Sequence, residues 1–242
     1  MKIIILKSLN HSNKKRVKKN IKFIVIHYTG MQSERACIRR LTSNKSEVST
    51  HYLINREGKT IRMVDEKNTA WHAGISKWKN FIDLNDRSIG IELVNKGHQF
   101  GYEIFPKKQI SKLILLCRFL IKKYKIKKTN ILGHSDIAPL RKKDPGEKFP
   151  WQFLSKKKVG YWHNVNKKNT ISKNLSKSEV RKFFFNNLYK IGYRYFDKKK
   201  SSKYDTRVIK AFQRRFRQNR INGIIDQKCL QISYYLAKSI KY

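Results

Sequence analysis

The sequence predicts an α/β fold, with a mixed central β-sheet flanked by helices and a small C-terminal three-helix domain. Apolar runs of strand length alternate with helical patterns over roughly the first 160 residues, which is typical of an α/β domain. From Ser176 onwards the patterns are helical only. The 242 residues are enough for one large domain, or for one medium and one small domain.

Two long runs are expected to form buried strands. Ile21 to Thr29 is almost continuous in Ile, Val and Phe, as expected of a strand covered on both faces. Ser88 to Val94, SIGIELV, is a second buried strand that carries one carboxylate, Glu92. A carboxylate inside such an apolar strand is costly unless it is paired or functional.

Shorter runs complete the predicted sheet. Ser49 to Arg56 and Thr60 to Val64 read as a hairpin joined by a turn at Gly58. Asn130 to Leu132 is a short strand that leads into Gly133.

Helices are expected on either side of these strands. Ser33 to Leu41 has weak helical patterning, whereas Pro106 to Tyr124 places its apolar residues at helical spacing. Ser176 and Glu179 form a capping box at the start of a C-terminal helix. The next two helices are expected at 205–216 and 226–238.

The change of pattern divides the chain into three parts. Residues 15–160 are expected to form the α/β domain, and the polar, aperiodic stretch 161–175 is expected to be a linker. Residues 176–242 would then fold as a separate helical domain.

The strongly basic composition favours anionic partners. There are 57 Lys and Arg against 16 Asp and Glu, a formal net charge of +41. The lysines are scattered along the whole chain among many Ile and Asn, which indicates broad compositional bias. A nucleic-acid binder would instead need a basic stripe interleaved with exposed aromatics, so no nucleic-acid partner is expected.

The spacing of the cysteines and the length of the apolar segments do not indicate a secreted or membrane-spanning protein. The three cysteines, Cys37, Cys117 and Cys229, are far apart and suggest no disulfide framework. No segment approaches the ~20 apolar residues of a membrane span, and the apolar run Ile3 to Leu6 is too short for a signal peptide. A cytoplasmic protein is expected, with the cell envelope as the alternative, and the oligomeric state is left open.

Histidines at strand ends are candidates for metal ligands. His27 ends the first buried strand, and His134 follows the short strand at Leu132, ten residues before Asp144. Such positions suit a catalytic zinc site with three protein ligands and one open position. Spacing alone does not choose among the histidines, because five others are available: His11, His51, His72, His98 and His163.

Four separated motifs, in order, resemble the zinc-dependent N-acetylmuramoyl-L-alanine amidases of the AmpD/AmiD type. That family shares a fold with a phage lysozyme and with the peptidoglycan recognition proteins. The resemblance covers roughly residues 15–160. The motifs are HYT at His27, WHAG at 71–74, SIGIELVN at 88–95, and GHSDIAPLRKKDPG from Gly133, followed by FPW at 149–151.

The resemblance implies a role for each matching residue. His27, His134 and Asp144 would bind zinc, which would lower the pKa of a water molecule towards neutrality. Glu92 would act as the general base and Lys142 would stabilise the oxyanion. The implied reaction is hydrolysis of the amide between N-acetylmuramic acid and L-alanine, in peptidoglycan or in muropeptides.

Three further residues are candidates for lining the substrate cleft. These are His72, Trp71 and His51, each of which could equally well pack and hydrogen-bond inside the domain.

The C-terminal part resembles the small three-helix peptidoglycan-binding domain. The resemblance rests on VIKAFQRRF at 208–216 followed by INGIID at 221–226, with Asn222-Gly223 where that domain has Asp-Gly. Alternatively, Phe212 and Phe216 form only the core of a helical bundle.

Two function classes compete within this resemblance. The leading one is a zinc amidase, and the alternative is a non-catalytic peptidoglycan-binding protein on the same fold. Retention of all three ligands together with Glu92 and Lys142 favours the enzyme, because a pure binder need keep none of them.

Overall fold

A six-stranded mixed sheet forms the centre of the computed structural model, which describes residues 2–12, 15–165 and 175–240. Within these ranges the strands are β1 Ile3–Ile5, β2 His11–Ser12, β3 Phe23–Tyr28, β4 Tyr52–Ile54, β5 Thr60–Arg62, β6 Thr69–Ala70, β7 Lys77–Trp78, β8 Phe81–Ile82, β9 Ser88–Leu93 and β10 Ile131–Gly133. The α-helices are α1 Glu34–Thr42, α2 Lys107–Tyr124, α3 His134–Ile137, α4 Trp151–Lys156, α5 Lys177–Ile191, α6 Asp205–Phe216 and α7 Gln227–Ser239.

The strand order of the central sheet is β1-β5-β4-β9-β3-β10. The strand β3 lies parallel to β9 on one side and to β10 on the other, while β4 and β5 form the predicted antiparallel hairpin. The predicted fold class, a mixed sheet flanked by helices with a C-terminal three-helix part, is confirmed.

Several short elements were not predicted. The N-terminal run Ile3–Ile5 pairs in parallel with β5 and extends the sheet at its edge. Two ladders of two residues each, β2 with β6 and β7 with β8, and the short helices α3 and α4 were also missed. Elements this short carry no periodicity from which the sequence could predict them.

Alternation along β3 assigns its side chains to two different layers. Ile24 and Ile26 face the layer of α2, where they share a hydrophobic cluster with Leu113, Leu116 and other residues of that helix. Phe23 and Val25 face the opposite side. Because successive side chains in a strand point to opposite faces, His27 lies on the same face as Phe23 and Val25.

The C-terminal helices cover this second face of the sheet. Phe23 and Val25 belong to one hydrophobic cluster with Phe184, Leu188 and Phe212 of α5 and α6. A single cluster therefore joins the sheet to the helical part. The residue ranges given for separate domains stay a prediction, while the contact between the two parts is observed.

The predicted linker falls partly outside the described residues, which do not include 166–174. The preceding stretch 161–165 has no regular secondary structure, and Tyr161 in it is buried against Phe216. Ser176 caps α5 and forms the predicted capping box with Glu179. Among the described residues, no helix is long and apolar enough to cross a membrane.

Candidate metal centre and active site

Three buried side chains from distant parts of the chain meet at one point. His27 Nδ1 lies 2.9 Å from His134 Nδ1 and 3.0 Å from Asp144 Oδ2. The third side of the triangle, from His134 Nδ1 to Asp144 Oδ2, is 3.1 Å. The side chains are buried, with between 1% and 6% of each residue exposed.

The central strands explain how these residues meet. His27 lies near the carboxyl end of β3, and β10, which is parallel to β3, ends at Gly133 directly before His134. Parallel strands deliver their carboxyl ends to the same edge of the sheet. Asp144 is brought back to this edge because its backbone carbonyl accepts a hydrogen bond from the Ser135 amide, at 2.8 Å.

Hydrogen bonds determine which nitrogen of His134 carries the proton. His134 Nε2 lies 3.0 Å from the carbonyl oxygen of Ala73, which can only accept a hydrogen bond. Arg141 Nη2 also lies 3.4 Å from Nε2, but the shorter contact with the carbonyl places the hydrogen on Nε2. In the neutral ring Nδ1 then keeps a free lone pair that faces His27 and Asp144.

A longer chain of hydrogen bonds determines which nitrogen of His27 carries the proton. Ser88 donates its hydroxyl proton to the carbonyl of Leu84 at 2.6 Å, so its oxygen accepts from His72 Nε2 at 3.2 Å. The other nitrogen of His72, Nδ1, is then free to accept from His27 Nε2 at 3.0 Å. This order leaves the lone pair of His27 Nδ1 directed at the three-residue site.

Gly90 makes room for this arrangement within β9. A Cβ atom at Gly90 would lie 2.4 Å from the ring of His72, which is too close for any side chain. Ser88, Gly90 and Glu92 alternate along one face of β9, so the two small residues leave space for His72.

The three side chains also shift one another's protonation. Burial, assisted by the neighbouring His134, lowers the pKa of His27 to about 4. Burial alone would raise the pKa of Asp144, but the charge of His134 and His27, when these rings are protonated, outweighs it and holds that pKa well below its ordinary range. At neutral pH the site therefore presents a neutral His27 and a charged carboxylate.

Glu92 lies level with His27 on the neighbouring strand, and Lys142 lies in the loop between His134 and Asp144. Glu92 is the register partner of His27 across β3 and β9, so the two side chains share one face and one end of the sheet. Burial, and after it the charge of Asp144, raises the pKa of Glu92 to about 8, while the charge of Lys142 lowers it. The charges of Asp144 and Lys142 therefore act on Glu92 in opposite directions.

The arrangement fits a divalent metal ion. Ligand atoms placed tetrahedrally at about 2.0–2.1 Å from zinc lie about 3.3 Å apart, close to the sides of this triangle. Three lone pairs facing one another repel unless a cation lies between them. Glu92 Oε2 is enclosed and makes no hydrogen bond within the described residues, which leaves it available to a bound water or substrate.

The predicted cleft residues occupy different environments. His72 is 9% exposed and stands behind His27, where it is a hydrogen-bond partner of the proposed ligand. His51 is completely buried: its Nδ1 accepts from the Gly90 amide at 3.0 Å, and its Nε2 lies 3.1 Å from the Asn68 carbonyl. This burial argues against a contact between His51 and a substrate. Trp71 is half-buried, and its role in substrate binding stays a prediction.

Sequence reasoning did not single out several residues that support the site. Ala73 and Ser88 fix the proton positions described above. Asp136, only 1% exposed, follows His134 by two residues and is held by two side chains of the C-terminal part, Tyr193 and Arg215. Asp136 and Ser88 lie inside recognisable motifs, but nothing in their spacing indicates their partners.

A buried three-ligand site beside a carboxyl group at the edge of a mixed sheet is typical of metal-dependent hydrolases. A family model described as N-acetylmuramoyl-L-alanine amidase matches residues 17–147, more than half of the chain. This protein belongs to the N-acetylmuramoyl-L-alanine amidase family, which confirms the resemblance and the enzyme class predicted from the motifs.

Curated relatives extend the similarity beyond the sheet. N-acetylmuramoyl-L-alanine amidase AmiD of Escherichia coli (strain K12) is 36% identical over 228 residues, which are 88% of this chain and 81% of AmiD. The 1,6-anhydro-N-acetylmuramyl-L-alanine amidase AmpD of Haemophilus influenzae is 42% identical over 106 residues, 43% of this chain and 55% of AmpD. This chain therefore spans little more than half of the AmpD length.

Solved structures share the whole architecture. The Escherichia coli AmiD complex with the substrate anhydro-N-acetylmuramic acid-L-Ala-D-gamma-Glu-L-Lys superposes with a TM-score of 0.79 at 32% identity, covering 94% of this chain and 91% of AmiD. AmpDh3 from Pseudomonas aeruginosa superposes with a TM-score of 0.80 at 27% identity, covering 96% of this chain and 97% of AmpDh3. Both matches include the C-terminal helices, because each covers more than nine-tenths of the chain.

The raised pKa of Glu92 predicts a dependence of stability on pH. The unfolded chain releases this proton near 4.5 and the folded protein near 8, so the stabilising effect of the neutral carboxyl is complete below pH 4.5 and is lost as pH rises through 8. In metal-free protein, Glu92→Gln should therefore become progressively more stable relative to the wild type between pH 5 and 8. Urea unfolding at several pH values measures the difference, and a constant difference would contradict the shift.

The hydrogen bond between His72 and His27 predicts an effect on metal affinity. His72→Phe keeps an aromatic ring but removes the acceptor for His27 Nε2, so zinc affinity should fall about 10–100-fold. His163→Phe is a matched control, because His163 bonds to the carbonyl of Phe216 instead. Competition with a chelator measures both affinities. Equal affinities in the two variants would show that His72 does not support His27.

Proposed function

We propose that this amidase holds a zinc ion with His27, His134 and Asp144 and hydrolyses the amide between N-acetylmuramic acid and L-alanine in peptidoglycan or muropeptides. The observation that carries this proposal is the triangle of three lone-pair atoms, 2.9–3.1 Å apart, beside an unpaired carboxyl oxygen of Glu92. The substrates named in the AmiD and AmpDh3 complexes, both anhydromuramyl peptides, support the same substrate class.

A zinc ion at this position would supply Lewis acidity, polarising a water molecule and the carbonyl of the bond to be cleaved. His27 and His134 are prepared to hold it because their other nitrogens are already committed to His72 and to the Ala73 carbonyl. Asp144 adds a negative charge, which makes the set of ligands more favourable for a divalent cation.

Glu92 is suited to the proton transfers. A pKa raised to about 8 lies close to neutral pH, where a general base is most effective. We assign to Glu92 the removal of a proton from the attacking water and its delivery to the nitrogen of the leaving L-alanine. Its position on a central strand, opposite His27, fixes the carboxyl at the edge of the site.

Lys142 is suited to stabilising negative charge on the carbonyl oxygen as water adds. Its backbone amide donates to the carbonyl of Ala138 at 3.0 Å, which anchors the loop between His134 and Asp144. Its positive charge lowers the pKa of Glu92, which supports a role for both residues at one site. A preorganised cation at this place would stabilise the developing oxyanion.

The alternative function is a non-catalytic peptidoglycan-binding protein. Such a protein would not need the enclosed carboxyl oxygen of Glu92, which has no hydrogen-bond partner among the described residues. Burying a carboxyl group without a partner is costly, so its presence indicates a chemical use. The geometry therefore favours the enzyme.

Activity and metal binding can be separated experimentally. Purified protein should carry about one zinc ion per chain, and His134→Ala should lose most of it.

Glu92→Gln should keep the zinc yet lose about 10²–10⁴-fold in turnover on soluble muropeptides, because an amide cannot accept the proton. Exposed Glu47→Gln is the control for removing a carboxylate. Products are identified by mass, and wild-type turnover by Glu92→Gln would refute the assigned base.

We further propose that residues 176–242 form a peptidoglycan-binding part. Some residues of the resembling motif have structural uses here: Gln213 bonds to both Asn222 and the Ile224 carbonyl, and Asp226 caps α7. The support for binding is thus the resemblance together with structural similarity to AmiD and AmpDh3 over the whole chain. A cytoplasmic location, with the cell envelope as the alternative, stays a prediction.

Binding to the wall is tested with full-length Glu92→Gln protein, which should bind without cleaving. Excess soluble muropeptide occupies the cleft, and about 0.5 M salt screens the adhesion of a cationic protein to an anionic wall. Protein that still pellets with insoluble sacculi under both conditions has a second, specific binding surface. Complete release would show that only the cleft and the charge hold the protein on the wall.

A further inference from the structure

The segment that carries two of the three metal ligands is held from outside by the C-terminal helical part. This segment runs from β10 through His134 and Asp144 to the start of α4. Among the described residues, five hydrogen bonds reach it from the C-terminal part. Tyr193 donates to Asp136 at 2.6 Å, and Arg215 donates both to Asp136 and, at 2.8 Å, to the Ile131 carbonyl. Arg207 donates to the Leu140 carbonyl at 3.0 Å, and Gln218 donates to the Phe149 carbonyl at 2.7 Å.

Asp136 is the centre of these contacts. Its Oδ2 atom accepts from the backbone amide of Gly133 at 2.8 Å and forms a salt bridge with Arg215. Its Oδ1 atom accepts from the Tyr193 hydroxyl. Asp136 therefore fixes the backbone on both sides of His134, since Gly133 precedes the ligand and Asp136 lies two residues after it.

Arg215 reaches Asp136 through the interior of the molecule. Both side chains of this ion pair are only 1% exposed. The guanidinium carbon lies 4.2 Å from the ring centre of Trp151, 5.1 Å from that of Tyr161 and 5.0 Å from that of Phe216. A planar cation among aromatic rings with a carboxylate partner is held in one orientation.

Packing alone does not require an ion pair at this place. Replacing a buried ion pair by apolar residues of similar volume is often neutral or stabilising, so the pair is weak evidence for a role in stability. The hydrogen bonds of the pair instead converge on the backbone that presents His134. A metal ligand must be held within about 0.5 Å of its productive position, and such precision comes from supporting hydrogen bonds.

We propose that Arg215 and Tyr193 are positioning residues of the active site, which act through Asp136 to hold His134 in place for the metal. The C-terminal helical part is then a component of the metal site, in addition to any role in binding the wall. This inference rests on the metal site assigned under the proposed function.

The test compares metal binding in full-length variants. Arg215→Met removes the charge and both hydrogen bonds to the segment, and zinc affinity should fall about 10–100-fold. Val208→Ala is the matched control: Val208 is a fully buried residue of the same helix that contributes to the shared hydrophobic cluster. It should lower the unfolding temperature and leave zinc affinity unchanged. Chelator competition, at a temperature where circular dichroism shows every variant folded, gives the affinities.

A second variant and a spectroscopic measurement keep the test decisive. Tyr193→Phe removes one hydroxyl and should fold even if Arg215→Met does not; its zinc affinity should fall about 10-fold. The visible absorption of Co²⁺-loaded protein, which reports ligand geometry, should change in both variants and stay as in the wild type in Val208→Ala.

The possible failures are distinct. The positioning role would be overturned if folded Arg215→Met had the zinc affinity and the Co²⁺ spectrum of the wild type. If Arg215→Met does not fold, the same result in Tyr193→Phe would overturn it. Absence of zinc binding by the wild-type protein would instead overturn the proposed metal site.

Discussion

Two imidazole nitrogens and one carboxylate oxygen face one another at about 3 Å inside the protein, and much of the surrounding structure serves to keep them there. Lone pairs this close repel when no cation lies between them, and burial strengthens the repulsion. The ring protons must therefore point away from the centre. The Ala73 carbonyl achieves this for His134, and His72 with Ser88 achieves it for His27.

This requirement extends into the sheet. A side chain at Gly90 would collide with His72, so on this face β9 has Ser88 and Gly90 where β3 has Phe23 and Val25. The next residue on the same face of β9 is Glu92, which is the register partner of His27 on β3. The strand β9 thus leaves space for His72, which bonds to His27, and places the proposed base Glu92 level with His27.

The second face of the sheet is completed by the C-terminal helices, which bury Phe23 and Val25 beneath Phe184 and Phe212. Local features of the sequence help to form these helices: Ser176 caps one of them, as the sequence predicts, and Asp226 caps another. Their docking also brings a buried cation, Arg215, to the carboxylate of Asp136. The sheet and the C-terminal helices therefore share one hydrophobic cluster and one buried ion pair.

The sequence by itself determined the long strands, the long helices and, through resemblance, the three residues that meet at one point, His27, His134 and Asp144, because periodicity and motif spacing are local properties. Short strands such as Ile3–Ile5 could not be predicted, since only pairing with β5 makes them strands. Tertiary structure alone decided the roles of His72 and Asp136. Their partners lie far away in the chain, with His27 separated from His72 by 45 residues and Arg215 from Asp136 by 79. Whether a polar residue meets a substrate, a ligand or a buried ion pair depends on contacts between distant segments, which only folding brings together.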